Sequence, residues 1–282
     1  MNNVWIKTTG CVIALGVSLW ATGPRVTGAM LTATHNEIVA VETPPLYSSQ
    51  NPNGGMAFEI VSAALNTQKE TATLTTYPVQ KMVNYYLTQE KVLGALGTSW
   101  NLSSAEKKSV ISIPVSVIRE QYFYYKPAHP KGIVWGGKLS SLKGLTYGEH
   151  EGVDTQAYKA AGINVVYGRS RSLFEKLKAG KVDFIGESAL GGQEVIDSFF
   201  GSDKGQFATM EPSPEESVCA ILFNLQNPDT QAIAKKFRLG LSTIIKNGQY
   251  QSIIEKYEGK TPLSSAHVEK FKTLWAKESL KK

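Results

Sequence analysis

The stretch SSAEKKSVISIPVSV, Ser103 to Val117, places two lysines on one expected helical turn directly before an aliphatic strand. A lysine ammonium at such a junction supplies a point charge able to neutralise an anionic ligand group. Consecutive residues on a helical turn point about 100° apart, so only one of Lys107 and Lys108 can face a ligand while the other faces water. Other chemistry is sparse. The four histidines, His35, His129, His150 and His267, are scattered and none stands at metal-ligand spacing to another ligand type. GESALG, Gly186 to Gly191, approaches the G-x-S-x-G turn of serine hydrolases, but its second glycine comes one position late. No phosphate loop and no G-x-G-x-x-G occurs. Glu149 and Glu151 read as solvated loop neighbours, whereas Glu42 ends a buried strand and needs a partner there, structural or ligand.

The elements that must hold these residues follow from periodicity. EIVAVETPPLY is a strand ending at a Pro-Pro turn, and Met56, Ile60, Val61, Ala64 and Leu65 share one helical face. TATLTTYP alternates as a strand, Pro78 opens a helix carrying Val79, Met82, Val83, Tyr86 and Leu87, and KVLGALGT is a strand. This βαβαβ order predicts a parallel sheet. After EQYFYYKP, an aromatic strand expected in the core or at a hinge, the grammar restarts. LTYGEH, INVVYG and KVDFIG are strands; DTQAYKAAG is a helix capped by Asp154, and SRSLFEKLKAG a helix stopped by Gly180. The restart predicts two similar lobes. ESVCAILFNL then suits a return crossing, followed by a helix capped by Asn227 with Pro228 at its first position, a second helix, and an amphipathic end holding Val268, Phe271, Leu274 and Trp275.

Ligands of open parallel sheets sit beyond the carboxyl ends of the strands. That rule selects Glu42 to Tyr47, Tyr77 and Gly97 to Trp100 in the first lobe, and Glu149 to Asp154, Tyr167 to Ser170 and Gly186 to Ser188 in the second. Tyr77, between a strand and Pro78, is the expected cleft wall that stacks on a ligand, with Tyr47 in a comparable position.

Charge and composition narrow the class. The net charge of +6 divides into +2 over residues 1–29, +4 over residues 260–282, and zero over the body of the chain. A neutral body argues against nucleic acid. Lys7 followed by the apolar run Cys11 to Ala21 has the form of an export signal, with cleavage expected at Thr27-Gly28-Ala29 or Ala21. A retained anchor is the rival, but the run is too short to span a bilayer. Cys11 begins that run, whereas a lipid-attachment cysteine should follow it. With the leader removed only Cys219 remains, so no intrachain disulfide is expected.

VETPPLY followed by GGMAFEIVSAAL, then YPVQKMVNYYLTQEKVLGALGT, SAEKKSVISIPV, LKGLTYGEHEGVDTQAY, LFEKLKAGKVDFIGE and the helical ending from NPDTQ to KYEG resemble, in order and spacing, the family-3 extracellular solute-binding proteins, the amino-acid-type receptors of ABC importers. The resemblance runs from about Glu37 to Lys260. It implies an α/β fold of two Rossmann-like lobes joined by two hinge crossings, the type II periplasmic-binding-protein arrangement. Expected boundaries are a leader over 1–29, a discontinuous first lobe over 30–117 and 219–282, and a second lobe over 118–218. Lys107 holds the position of the family's carboxylate-clamping arginine, where a lysine gives one flexible contact instead of a fork. Gly152, Val153 and Asp154 replace the family's Gly-Ser/Thr anion cradle; Val153 lacks the hydroxyl, and Asp154 adds a negative charge at a helix start. The amine-binding aspartate falls near Glu187 or Ser188.

The ligand-binding set expected is Glu42, Thr43, Tyr47, Tyr77, Gly97, Thr98, Lys107, Gly152, Val153, Asp154 and Glu187, with no catalytic residue, metal or cofactor. The implied function is capture of a small polar molecule, an amino acid or a relative, by a periplasmic monomer that delivers it to an ABC permease. Two alternatives share the fold: an enzyme resembling cyclohexadienyl dehydratase, with Glu187 as acid, or a receptor serving a sensor or other partner protein.

Overall fold

The computed structural model describes residues 36–77, 89, 91–97, 102, 106–151, 153–214 and 216–279. The expected leader, the helix expected after Pro78, Thr98 and Gly152 lie outside the described residues.

The first lobe forms where the short-period pattern predicts it. Strand β1 (Glu37–Ala40) pairs in parallel with β2 (Thr73–Thr76) and with β3 (Val92–Gly97). Helix α1 (Met56–Asn66) connects β1 to β2 and buries the apolar face read from its sequence. Side chains of β1 alternate between two apolar groups, Ile38 and Ala40 on one face and Val39 on the other, as a strand buried on both sides must.

The charged turn Glu106–Ser109 is a 3-10 turn that feeds without a break into β4 (Val110–Tyr125), a single strand of 16 residues. One stretch of β4, Val110 to Arg119, pairs antiparallel with β9 (Glu216–Asn224). Its next stretch, Glu120 to Phe123, pairs with β7 (Phe184–Ser188), and its end with β8 (Phe207–Thr209). Thus β4 and β9 run side by side as the two crossings, and β4 exchanges partners between Arg119 and Glu120.

The second lobe repeats the parallel plan. Strand β5 (Thr146–His150) lies between β6 (Asn164–Gly168) and β7, parallel to both. Helix α2 (Gln156–Ala160) connects β5 to β6, and α3 (Ser170–Lys178) connects β6 to β7. The strand order is β2-β1-β3-β9-β4-β7-β5-β6, with β8 on the other side of β4. Tyr122, Trp135, Tyr147 and Phe184 form an aromatic core on one face, and Phe123, Phe174, Phe200 and Phe207 one on the other. Tyr147 stacks on Tyr158 with ring centroids 4.2 Å apart, so much of this lobe's burial is carried by aromatic area.

Three elements depart from expectation. Helix α4 (Ala189–Phe199) follows β7 directly. Its Gly191-Gly192 pair hides the helical pattern, yet a Cβ at Gly192 would meet the Phe123 ring at 2.4 Å, so the glycine lets the helix lie close on β4. Helix α5 (Thr230–Lys246) starts beyond Pro228, because Asn227 Oδ1 accepts from the Asp229 amide at 2.9 Å and closes a turn before the helix. Asp154 likewise accepts from the Gln156 amide at 2.9 Å, while Thr155 occupies the N-cap position of α2. The chain ends in α6 (Gln249–Glu258) and α7 (Pro262–Ser279), where Tyr250 stacks on Phe271 at 4.6 Å. Cys219 is fully buried in β9 and is a free thiol. No helix among the described residues is long and apolar enough to cross a membrane.

Candidate functional site

Parallel pairing of β5 with β7 puts Tyr147 beside Phe184. Three residues further along each strand, at the carboxyl ends, stand His150 and Glu187. That odd step turns both side chains away from the aromatic core of Tyr147 and toward the face where α3 and α4 pack. His150 Nε2 lies 3.1 Å from Glu187 Oε2, Ser170 at the start of α3 donates to the same oxygen at 2.8 Å, and the Ser188 amide donates to Oε1 at 3.0 Å. Glu187 is 12% exposed and His150 35%. The imidazole is therefore the more exposed of the two. Ser188 then accepts from the Gly191 amide at 3.0 Å and caps α4, which gives the near-hydrolase motif a structural job.

Electrostatics follow from these contacts. Burial acts to raise the Glu187 carboxyl, but the hydrogen bond and charge of His150, with Ser170 and the Ser188 amide, outweigh it and hold the group below its ordinary value. The same hydrogen bond raises His150 against the opposing effect of burial. Glu149 points to the other face. It is 8% exposed, accepts from the Tyr147 hydroxyl and from the His150 amide at 2.7 Å, and burial raises its carboxyl. The expectation that Glu149 is a solvated loop residue is thus corrected: strand alternation carries it inward over Tyr147. Space there is tight, since a Cβ at Gly186 would meet the Tyr147 hydroxyl at 2.3 Å.

The expected first-lobe residues gather at the carboxyl ends of β1 to β3 but are largely engaged with the protein itself. Glu42 accepts from the Ser49 amide at 3.1 Å and hydroxyl at 3.2 Å, and Ser49 bonds Thr76 at 2.9 Å. Burial acts to raise this carboxyl, but the hydroxyl and amide donors around it leave it below its ordinary value. Thr43 and Tyr47 close the turn after β1 through the Thr43 amide and the Tyr47 carbonyl, 2.9 Å apart. Tyr47 is buried in the apolar core beneath β1. Tyr77 packs on the group containing Val39 and Val92, with its hydroxyl 3.5 Å from Glu37 Oε1. Gly97 ends β3 opposite Ala220. Lys107 and Lys108 are both exposed, and neither forms an ion pair among the described residues. In the second lobe Val153 is 38% exposed and Asp154 is exposed.

His150 and Ser170 were not singled out from sequence, although both lie in segments that the end-of-strand rule selects. The readable signal was strand register: His150 and Glu187 end neighbouring parallel strands. A cavity of about 480 Å³ lies between the crossing strands, the start of α4 and helices α6 and α7; Leu46 and Ser188 from the end-of-strand segments line it, but none of the eleven residues of the expected ligand-binding set does. Among the described residues no group of three or more His, Cys, Asp or Glu is placed to hold a metal ion.

No protein-family model matches the chain, and neither does any curated protein. Solved structures do. The ligand-binding core of GluR0 from Nostoc punctiforme, in complex with L-glutamate, superposes with a TM-score of 0.61 at 15% identity, over 79% of this chain and 99% of that one. A histidine kinase sensor domain with similarity to periplasmic binding proteins gives 0.62 at 18% identity, over 79% and 96%. An ancestral arginine-binding protein bound to arginine gives 0.60 at 17% identity, over 79% and 97%. At such identities the likeness establishes the fold: the chain has the two-lobed α/β fold of periplasmic binding proteins.

Proposed function

We propose that the chain is an exported solute-binding protein of the family-3 type, which captures a small polar ligand between its lobes. The observation that carries this reading is the His150–Glu187–Ser170 cluster at the carboxyl ends of β5 and β7, in a fold whose two lobes are joined by β4 and β9. The proposed lobes are 30–117 with 219–282, and 118–218. The proposed contacts are Lys107 from the first lobe, the start of α2 at Val153 and Asp154, and the His150 face of the cluster.

Glu187 Oε2 is already engaged by His150 at 3.1 Å and by Ser170, so an ammonium group would have to displace His150 to reach it. The second lobe instead offers an imidazole, and Lys107 offers an ammonium from the first. Both suit a ligand with anionic or acceptor groups at its two ends, an amino acid or a relative of one. The bound protein is proposed to act as a periplasmic monomer that delivers its ligand to an ABC permease. The likeness to a histidine kinase sensor domain supports a second reading, in which the ligand-loaded form is received by a sensor. Glu187 is a poor proton donor for a dehydratase, because its surroundings hold the carboxylate ionised.

Native mass spectrometry of protein purified without refolding tests the proposal by identifying a retained small molecule. Calorimetric titration of the stripped protein with that molecule should then show one site, weakened when His150 is replaced by alanine. A small molecule that binds with the same affinity to both proteins would move the site away from β5 and β7.

A further inference from the structure

The cavity between the crossings and the C-terminal helices has the make-up of a second ligand site. Its volume, about 480 Å³, lies within the range of small-molecule pockets. Its walls are mostly apolar, with Leu46 and Met56 from the first lobe, Val117 and Ile118 from β4, Leu190 from α4 and Leu263 from α7. Arg119 is the one arginine among the lining residues.

The charges around the cavity are not equivalent. Lys270 of α7 pairs with Glu216 of β9. Glu258 of α6 is held by His267, whose Nδ1 lies 2.7 Å from Glu258 Oε1 and whose Nε2 lies 2.9 Å from the fully buried Ser116 hydroxyl. Both wall carboxylates are therefore engaged from α7. Arg119 is half-buried and stands across the β4–β9 pair from Glu216, yet it makes no ion pair, hydrogen bond or ring contact among the described residues. A half-buried arginine in the wall of a largely apolar cavity calls for a planar anion able to take its paired donors. A carboxylate carried on an aliphatic chain satisfies both parts of the wall at once.

We infer that this cavity binds an aliphatic monocarboxylate, its carboxylate on Arg119 and its chain against Leu190, Leu263 and Met56. Ser188, whose amide holds Glu187, also lines the cavity, but neither His150 nor Glu187 does, and the test does not depend on the ligand proposed for that cluster.

Octanoate is the probe, titrated calorimetrically into the full chain, with octylammonium as the control of equal length and opposite charge. Octanoate is expected to saturate at one equivalent and octylammonium to show no saturable heat. Arg119→Gln is expected to weaken octanoate at least about tenfold, the usual effect of losing a charge-assisted contact. Leu263→Glu alters an exposed lining side chain and sets a negative charge where the aliphatic chain would pack. It is expected to weaken octanoate to a similar degree, and it decides the matter should Arg119→Gln fail to fold. Failure of octanoate to saturate, equal binding of octylammonium, or an octanoate affinity unchanged in a folded variant would each overturn the assignment.

Discussion

Replacing His150 by alanine removes the cation from a carboxylate that is 12% exposed and leaves it with only Ser170 and the Ser188 amide. Breaking a fully buried pair costs about 3–5 kcal/mol, and an exposed pair contributes about 0–1 kcal/mol. The imidazole here is 35% exposed, so solvent screens it, and a loss of about 1–2 kcal/mol is expected. The pH window follows from the directions of the two shifts. Glu187 lies below its ordinary 4.5, so its contribution is present above that value and is lost as pH falls through the lowered one. His150 lies above its ordinary 6.5, so its contribution is full below that value and fades as pH rises through the raised one. The difference between wild type and His150→Ala should therefore be greatest between these two ordinary values, 4.5 and 6.5, and shrink on either side. Urea unfolding of both proteins across that pH range measures it, and Glu187→Gln completes a double-mutant cycle. A difference that is constant with pH, or a coupling near zero at the centre of the window, would refute the account of the cluster.

Three further outcomes are expected. Lys107→Ala should weaken the native ligand about 10- to 150-fold by calorimetry, the loss of one charge-assisted contact, while Lys108→Ala should change little; equal affinities of wild type and Lys107→Ala would make Lys107 a surface residue. Gly186→Ala should destabilise the fold by about 1–3 kcal/mol, read as a lower urea midpoint, because its Cβ lands on the Tyr147 hydroxyl. Saturating ligand should shrink the radius of gyration in small-angle scattering as the lobes close about β4 and β9, and an unchanged profile with confirmed binding would count against a mobile junction.

The fold was legible because it is written in short-range pattern. The helical spacing of Met56, Ile60, Val61 and Ala64 and the restart at LTYGEH each carry their own periodicity, and the structure places α1 and β5 there. Helix α4 was hidden because Gly192 obeys tertiary contact with Phe123, and Gly191 the close approach of the Ser188 hydroxyl, and not helical preference. The site was harder to read for a similar reason. His150 and Glu187 are 37 residues apart in sequence, and only the β5–β7 register unites them. Tyr47 looked like a ligand wall from its place after a strand, yet it fills the core beneath β1, a choice between two faces that a turn leaves undetermined. Arg119 gave no sequence signal at all, since its significance is its place in the cavity lining and the lack of a partner among the described residues.

The strand order also dictates how the molecule assembles. Strand β3 does not touch β4; β9 lies between them and pairs with both. Val110 finds its partner Asn224 only 114 residues later in the chain, whereas Tyr147 and Phe184 are 37 apart. Loop closure for the second lobe is accordingly the less costly, and its core can consolidate while the first lobe still lacks the strand that joins its halves. During synthesis from the N-terminus, the lobe begun first is the one completed last, and until Glu216–Asn224 is made, β3 and one edge of β4 present unpaired backbone. The segment that locks the two halves of the first sheet together, Glu216–Asn224, is thus made after every other strand, leaving a long interval in which the first lobe stays open.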